Sequence, residues 1–267
     1  MIVSFQKMAG AGNDFILFDN RIAKIALLPK VARQWCDRKN SIGADGLIAL
    51  EKTKKADIRM RILNPDGSEA EMCGNGVRCL AKFASDARIT GSKLSIETLA
   101  GTIYAEVRGD IVKAKMIEPK DLNLDIKIAL NGHRESVGFV NTGVPHVVQF
   151  VKNLEKLDVQ ALGKTIRFHE HFKPRGANAN FVSMGPLNTL NIRTYERGVE
   201  GETQACGTGS TAASIVAAAS KNLKSPVRVK TQSGEMLKVY FSRLGNQFHD
   251  VYLEGKIQTI FEGRIAA

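Results

Sequence analysis

Two cysteines, Cys73 and Cys206, stand in copies of one motif, Met72-Cys73-Gly74-Asn75-Gly76 and Ala205-Cys206-Gly207-Thr208-Gly209. Each Cys-Gly-x-Gly opens onto a small-residue apolar stretch, Val77 to Ala87 in the first copy and Ser210 to Ser220 in the second. Glycines closing a tight turn before a helical run leave unclaimed backbone N–H groups at the helix N-terminus. Such a terminus binds anions, and a carboxylate is the obvious small one. A thiol placed there has its thiolate form favoured. Two such mouths predict two thiols serving one carboxylate-bearing substrate.

The reaction that needs two such thiols is inversion of a stereocentre by two bases. One thiolate removes a proton from one face, and the other thiol returns a proton to the opposite face, so one must be ionised and the other protonated. A thiol of ordinary pKa, about 8.5, is poorly matched to an amino-acid α-proton. Catalysis then depends on stabilising the enolate-like dianion. The N–H groups near Gly74-Asn75 and Gly207-Thr208 suit that task in a closed, dry cleft. Domain closure becomes part of the expected mechanism, with the site at the seam of two similar halves.

The remaining cysteines, Cys36 and Cys79, read as buried small hydrophobes. No Cys-x-x-Cys pair occurs, so zinc spacing is absent and no metal is expected; a disulfide scaffold is implausible at this size. The lysines offer no recognisable pyridoxal phosphate site. Neither motif copy resembles a phosphate loop or a dinucleotide fingerprint, which agrees with cofactor-free chemistry.

With 267 residues the chain has room for one large or two medium domains. The formal charge of +11 raises nucleic acid as a partner, but the basic residues are scattered and the longest cluster is Lys52-Thr53-Lys54-Lys55. A solvated basic surface with a mild attraction for an anionic substrate is expected, and no nucleic acid. No window is long and apolar enough for a membrane span, and the start, Met1 to Lys7, reads as a first strand rather than a signal peptide. Cytoplasmic placement, with reduced thiols, is the expectation.

The elements that must hold the two motifs repeat along the chain. The cysteines lie almost half the chain apart (206 − 73 = 133), and that offset places Gly43-Ala44-Asp45 on Gly176-Ala177-Asn178 and Thr98-x-x-Gly101 on Thr231-x-x-Gly234. It also sets Gly10 on Gly143, Asn13 on His146 and Asn64 on Arg197. An internal duplication follows. In the first half, strands are predicted over 2–8, 15–19, 46–50 and 57–63, with a helix over 31–37 opened by Pro29 and a turn at Asn64-Pro65-Asp66-Gly67. The helix after Cys73 precedes strands over 93–97, 102–107 and 111–116. Glu118-Pro119-Lys120 reads as a linker. The second half repeats the order: strands over 136–140 and 147–151, a helix over 159–163, strands over 180–183 and 189–195, and the helix after Cys206. Strands over 227–231, 236–241 and 250–253 follow, and one over 259–265 returns to the first domain. The expected class is α+β, with two pseudo-symmetric domains, each a curved, mostly antiparallel sheet or barrel wrapped around a central helix. The domains are predicted as 1–118, with 256–267 returning to it, and 119–255.

Several segments together resemble the diaminopimelate epimerase family. They are Gly12-Asn13-Asp14-Phe15, Asn64-Pro65-Asp66-Gly67-Ser68, Met72 to Cys79, Tyr195-Glu196-Arg197-Gly198 and Ala205-Cys206-Gly207-Thr208-Gly209. The resemblance runs almost end to end in the family's order. It implies a pyridoxal-independent epimerase interconverting LL- and meso-2,6-diaminopimelate in lysine and peptidoglycan precursor synthesis. Its partner is a small amino-acid substrate, and its usual assembly a homodimer. It makes Cys73 and Cys206 the acid/base pair. Asn13, Asn64, Asn178 and Arg197 then contact substrate, and Gly74, Asn75, Gly207 and Thr208 hold the reacting α-carboxylate. His146 and Glu196 match groups beside the cysteines that tune thiol ionisation and orient the reacting amine.

Each of these residues has a plainer reading. Asn13 and Asn64 suit turns, His146 a strand end, and Glu196-Arg197 a surface ion pair of little worth. The motif context favours the site. Some family members carry Gln at the position of Gly46 and Asn at that of Val144, which bears on the substrate's distal end, where Arg197 still supplies a fork for a carboxylate. The stretch Val199-Glu200-Gly201-Glu202-Thr203 holds one residue more than some relatives and is expected to lie outside the chemistry.

The nearest rival keeps the mechanism and changes the substrate to glutamate, histidine or proline. Proline racemases, though, typically have His where this chain has Asn75. A phenazine-type isomerase shares the fold without the paired thiols. A basic nucleic-acid-binding protein would leave the duplicated cysteines unexplained, and a redox sensor using both thiols is a third option.

Overall fold

The computed structural model describes residues 1–130 and 132–266. Its chain divides into two compact units, one of Met1–Lys115 with the segment from Gly255 onward, the other of Met116–Glu254. Ala267, part of the expected returning segment, lies outside the described residues. No helix among them is long and apolar enough to cross a membrane.

In the first unit, β1 (Ile2–Gly10) and β2 (Asn13–Asp19) form an antiparallel hairpin whose last pair is Gly10 with Asn13. Its two-residue turn, Ala11-Gly12, has φ of 52° and 86°, which Gly12 adopts without a Cβ penalty. Next come α1 (Asn20–Ala23), α2 (Leu28–Trp35), β3 (Gly46–Glu51), β4 (Ile58–Leu63) and β5 (Glu69–Ala70). Then α3 (Gly74–Asp86) leads to β6 (Lys93–Thr98), β7 (Gly101–Arg108) and β8 (Ile111–Lys115). The helix predicted over 31–37 starts earlier, because Pro29 sits within its first turn, where a missing N–H costs nothing.

In the second unit the order is β9 (Lys120–Leu130), β10 (His133–Asn141), β11 (Pro145–Phe150), α4 (Val159–Arg167) and β12 (Asn178–Gly185). It continues with β13 (Thr189–Glu196), β14 (Gly201–Thr203), α5 (Gly207–Lys221), β15 (Val227–Lys230), β16 (Met236–Leu244) and β17 (Gln247–Lys256). The last strand, β18 (Gln258–Ala266), belongs to the first unit and pairs antiparallel with β1.

The predicted linker is corrected here: Lys120 opens β9, a strand that sequence reading left unassigned. Its apolar residues alternate, and Ile126, Ile128 and Leu130 turn inward while their neighbours face solvent. Only residues 116–119 lack regular structure between β8 and β9.

The two units repeat one another pairing for pairing. β2 runs parallel to β3 and β4 to β6, as β11 does to β12 and β13 to β15. The hairpins β3–β4, β6–β7 and β7–β8 are antiparallel, and so are β12–β13, β15–β16 and β16–β17. Each sheet is therefore mixed, and it wraps a helix. α3 packs on β1 to β4 and on β6 to β8, and α5 on β9 to β13, β15 and β16. Residues 75–84 of α3 and 209–218 of α5 are buried on every face, the pattern of a helix sheathed all round. Around α3, Leu80, Phe83, Ile48 and Ile96 share one core, and each such fully buried side chain contributes about 1.5–3 kcal/mol. A second core in this unit centres on Trp35 and Phe18. In the second unit Ile166 of α4 packs with Phe181 and Tyr195.

Candidate functional site

Both motif cysteines are helix N-caps in extended conformation, Cys73 at φ −138° for α3 and Cys206 at φ −126° for α5. The first intrahelical acceptors are their own carbonyls: Val77 N–H donates to Cys73 O, and Ser210 N–H to Cys206 O, each at 2.8 Å. The amides before these residues fall outside intrahelical bonding. The motif's last glycine has a steric reason at both copies. A Cβ at Gly76 would stand 3.0 Å from Ile62 Cδ1, and one at Gly209 only 2.3 Å from Asn180 Oδ1.

In the first unit, the site residues that meet are Asn13, Asn75 and the α3 mouth. Asn75, buried, donates through Nδ2 to Asn13 Oδ1 at 2.8 Å, and its own Oδ1 accepts from Arg78 Nη2 at 2.5 Å. Arg78 also bonds Gly74 O at 3.3 Å, which ties the guanidinium to the turn it caps. Asn13 Nδ2 in turn donates to Asp45 Oδ2 at 3.1 Å.

Behind Asn13 lies a charged network. Arg38 bridges Asp14 and Asp45 at 2.7 Å each, and Lys7 pairs with Asp14 at 2.9 Å and bonds Gly43 O. Burial pushes the Asp14 carboxyl up, but hydrogen bonds from Arg38, Lys7 and the Asp45 amide outweigh it and bring its pKa down to about 2. Cys36, beside this network, is pushed up to about 12 by burial, so its thiol stays protonated.

Asn64 stands apart from this group. It is exposed, its amide N–H bonds Ser68 O at 2.8 Å, and its side chain donates to Ser68 Oγ at 2.9 Å, closing the Asn64–Ser68 turn. Gly46 pairs with Phe15 in the β2–β3 ladder, and a Cβ there would lie 3.1 Å from Leu63 O. A side chain there would press on the β4 backbone and the Phe15 ring.

In the second unit, Cys206 Sγ accepts from Gly209 N–H at 3.4 Å and stands 3.4 Å from Thr208 Oγ1. Thr208 is anchored in turn, its carbonyl accepting from Thr142 Oγ1 at 3.1 Å. Glu196 ends β13, half-buried, and accepts from Thr203 Oγ1 at 3.0 Å. Burial raises its pKa, partly offset by hydrogen bonds from Thr203 and from the Cys206 thiol. Thr203, in the stretch 199–203 expected to lie outside the chemistry, thus bonds Glu196 directly. The reason is β14, which folds back on β13 and sets Thr203 opposite Thr194 and Gly201 opposite Glu196.

His146 and Asn178 are register partners in the parallel pair β11–β12. Asn178 Nδ2 donates to Pro145 O at 3.0 Å, and its Oδ1 accepts the Arg197 amide at 2.8 Å, so this one side chain ties the start of β11 to the backbone of Arg197. His146 is fully buried; burial first, and then the charge of Arg197, push its pKa down to about 3 against the opposing Asn180 contact. Asn180 Nδ2 lies 3.1 Å from His146 Nδ1.

Sequence reasoning missed Asn180, Thr203, Arg78 and the Lys7–Asp14–Arg38–Asp45 network. Asp45 carried a signal, since the repeat sets it on Asn178. Arg78 carried another, one turn beyond Gly74. Chemically, each unit offers one thiol at a helix mouth, and the second unit adds the Glu196 carboxyl group, a neutral imidazole and a guanidinium.

The sequence profile of diaminopimelate epimerase matches residues 5–120 and 138–258. A diaminopimelate epimerase of Aquifex aeolicus is 42% identical over 278 residues, 99% of this chain and 98% of that protein. One of Chlorobaculum tepidum is 43% identical over 263 residues, covering 97% of this chain and 99% of that protein. Among solved structures, a PhzF-family phenazine biosynthesis protein of Bacillus anthracis superposes with TM-score 0.76 over 100% of both chains at 15% identity. A probable proline racemase of Agrobacterium radiobacter K84 gives 0.71 at 16% identity, covering 99% of this chain and 93% of that one. At such identity these two establish the shared fold alone. By profile, by identity along nearly its whole length and by two capped helices built alike, the chain belongs to the diaminopimelate epimerase family.

Proposed function

We propose that the protein interconverts LL- and meso-2,6-diaminopimelate by a two-thiol mechanism that needs no pyridoxal phosphate. What carries the reading is that both Cys-Gly-x-Gly turns cap buried helices, in a chain matched end to end by epimerases of that name. One cysteine, as thiolate, takes the α-proton, and the other, as thiol, delivers its proton to the opposite face. The enzyme ends with the two protonation states exchanged, ready for the reverse direction.

The α-carboxylate sits on the first-turn amides at Gly74-Asn75 and Gly207-Thr208, which stabilise the charge that develops as the proton leaves. Asn13, Asn64, Asn178 and Glu196 contact the substrate's polar groups. Arg197 forks onto the distal carboxylate. Glu196 and His146 set the ionisation and orientation of groups next to the reacting carbon. In this reading the enzyme works as a cytoplasmic homodimer in lysine and peptidoglycan precursor synthesis.

The test is solvent-deuterium incorporation at the α-carbon of LL-diaminopimelate, with reduced enzyme and no added cofactor. Wild type is run beside Cys73→Ala and Cys206→Ala, with L-glutamate, L-histidine and L-proline as parallel substrates. Exchange with inversion on diaminopimelate alone, lost in both variants, is expected. Exchange on another amino acid would move the substrate, and no exchange on any would sink the reading.

A further inference from the structure

Asn180 is buried to 1% exposure and commits every polar atom of its side chain. Nδ2 donates to Val147 O at 2.8 Å and lies 3.1 Å from His146 Nδ1, while Oδ1 accepts from Thr194 Oγ1 at 3.1 Å. A backbone carbonyl only accepts, so the amide end facing Val147 O must be the NH₂ group. That same NH₂ group meets the imidazole, so His146 Nδ1 must be the accepting nitrogen, and the ring proton of the neutral form sits on Nε2. Val147 O alone fixes the assignment, because a flipped amide would set oxygen against carbonyl oxygen, whereas the Thr194 hydroxyl could serve either amide end and simply satisfies Oδ1.

The other end of the ring is equally informative. Nε2 is buried and has no hydrogen-bond partner among the described residues. A buried N–H left unpaired is costly, by about 1–3 kcal/mol, so a site that builds one holds it for something the protein alone does not supply. Gly209 belongs to the same design. A Cβ there would collide with Asn180 Oδ1, so the glycine of the Cys206 motif makes room for the amide that orients His146.

We propose that Asn180, clamped by Val147 O and Thr194, is a positioning residue that holds His146 in its Nε2–H tautomer as a hydrogen-bond donor during turnover. The proposal rests on the reading of His146 as a site residue. In this role the imidazole offers a fixed N–H and takes no proton through Nε2 in the resting enzyme. The arrangement matches the general logic by which a partner on one ring nitrogen selects what the other can do.

The experiment is nitrogen-15 NMR of the histidine ring in otherwise intact protein, with the His146 signals assigned by their loss in His146→Gln. Wild type should show a pyridine-like Nδ1 and a protonated, pyrrole-like Nε2. Asn180→Asp keeps the shape but offers a carboxylate to Nδ1, so the proton should move to Nδ1 and the two signatures exchange. kcat should fall clearly below wild type, with KM changed far less. Thr194→Val removes only the donor to Oδ1 and leaves Val147 O facing the NH₂ group, so it should keep the wild-type tautomer and most of kcat. If wild type shows a pyridine-like Nε2, or rapid exchange between tautomers, the inference is overturned. It is overturned equally if Asn180→Asp exchanges the signatures and leaves kcat untouched. Failure of the epimerase reading is distinguishable, since wild type would then lack turnover while the ring signals still report the tautomer.

Discussion

Asn75 Nδ2 donates to Asn13 Oδ1 across 2.8 Å, which ties the first turn of α3 to the residue that closes the β1–β2 hairpin. The mouth beside Cys73 is thus held from outside its own helix, through a side chain that also reaches Asp45.

Asn13→Ala removes both links and leaves the buried Asn75 amide without its acceptor. A loss of about 1–3 kcal/mol in urea unfolding is expected, together with a fall in kcat/KM as the carboxylate-binding turn loosens. Asn64→Ala is the comparison: its exposed amide donates to Ser68, and its removal should cost within about 1 kcal/mol. Equal losses of stability in the two variants would remove the structural role assigned to Asn13.

The Lys7–Asp14–Arg38 cluster predicts an acid-labile step in stability. With a pKa near 2 in the fold and near 3.8 unfolded, Asp14 binds fewer protons when folded. Its contribution is therefore present above about pH 4 and is lost as the pH falls toward 2, and screening at this partly exposed site holds it to about 1–2 kcal/mol. Asp14→Asn should lower the urea midpoint at pH 6 and approach wild type at pH 3. A difference that does not change with pH would mean the cluster acts by packing rather than by charge.

Much of this architecture was legible because it is written twice. The Cys-Gly-x-Gly copies mark both central helices, and the alternation Ile58-x-Met60-x-Ile62 marks β4 as plainly as any strand. β9 was lost to a local signal: Glu118-Pro119 reads as a break, and it is one, but the strand begins at the very next residue. The repeat held a partial remedy, since the same offset carries β9 to residues 253–263, across the end of β17 and into β18. The residues behind the site were less accessible. Asn180 is one of three polar residues in β12, and only the parallel pairing of β11 with β12 brings it to His146. Thr203 depends on a return strand of three residues, too short to carry any periodicity.

Gly76 and Gly209 occupy equivalent places and should not tolerate alanine equally. At Gly76 the new methyl meets the Cδ1 tips of Ile62 and Ile48, 3.0 and 3.1 Å away, which can rotate aside. The gain of about 1 kcal/mol in helix propensity offsets that adjustment, so Gly76→Ala should be close to neutral in stability. At Gly209 the methyl meets Asn180 Oδ1 at 2.3 Å, on a side chain with no slack. Gly209→Ala should lose about 1–3 kcal/mol in thermal or urea unfolding. Equal behaviour would show that Asn180 has more freedom than its three contacts imply.

Glu196 supplies the sharpest test of the second unit's chemistry. Burial raises its pKa, while the Thr203 and Cys206 hydrogen bonds hold it down. If the ionised carboxylate is the working form, the acid limb of kcat/KM lies above the ordinary carboxylate range. Thr203→Val deletes one restraint, so the limb should move to still higher pH, and Glu196→Gln should abolish it along with most of kcat. Stability should run the other way. A carboxyl with its folded pKa raised favours the fold below its unfolded pKa and loses that contribution as the pH rises through the folded one. Glu196→Gln, which cannot ionise, should therefore gain stability on wild type at pH 8 and lose that advantage at pH 4. A variant less stable than wild type at pH 8, or a limb that moves to lower pH in Thr203→Val, would place the source of the shift elsewhere.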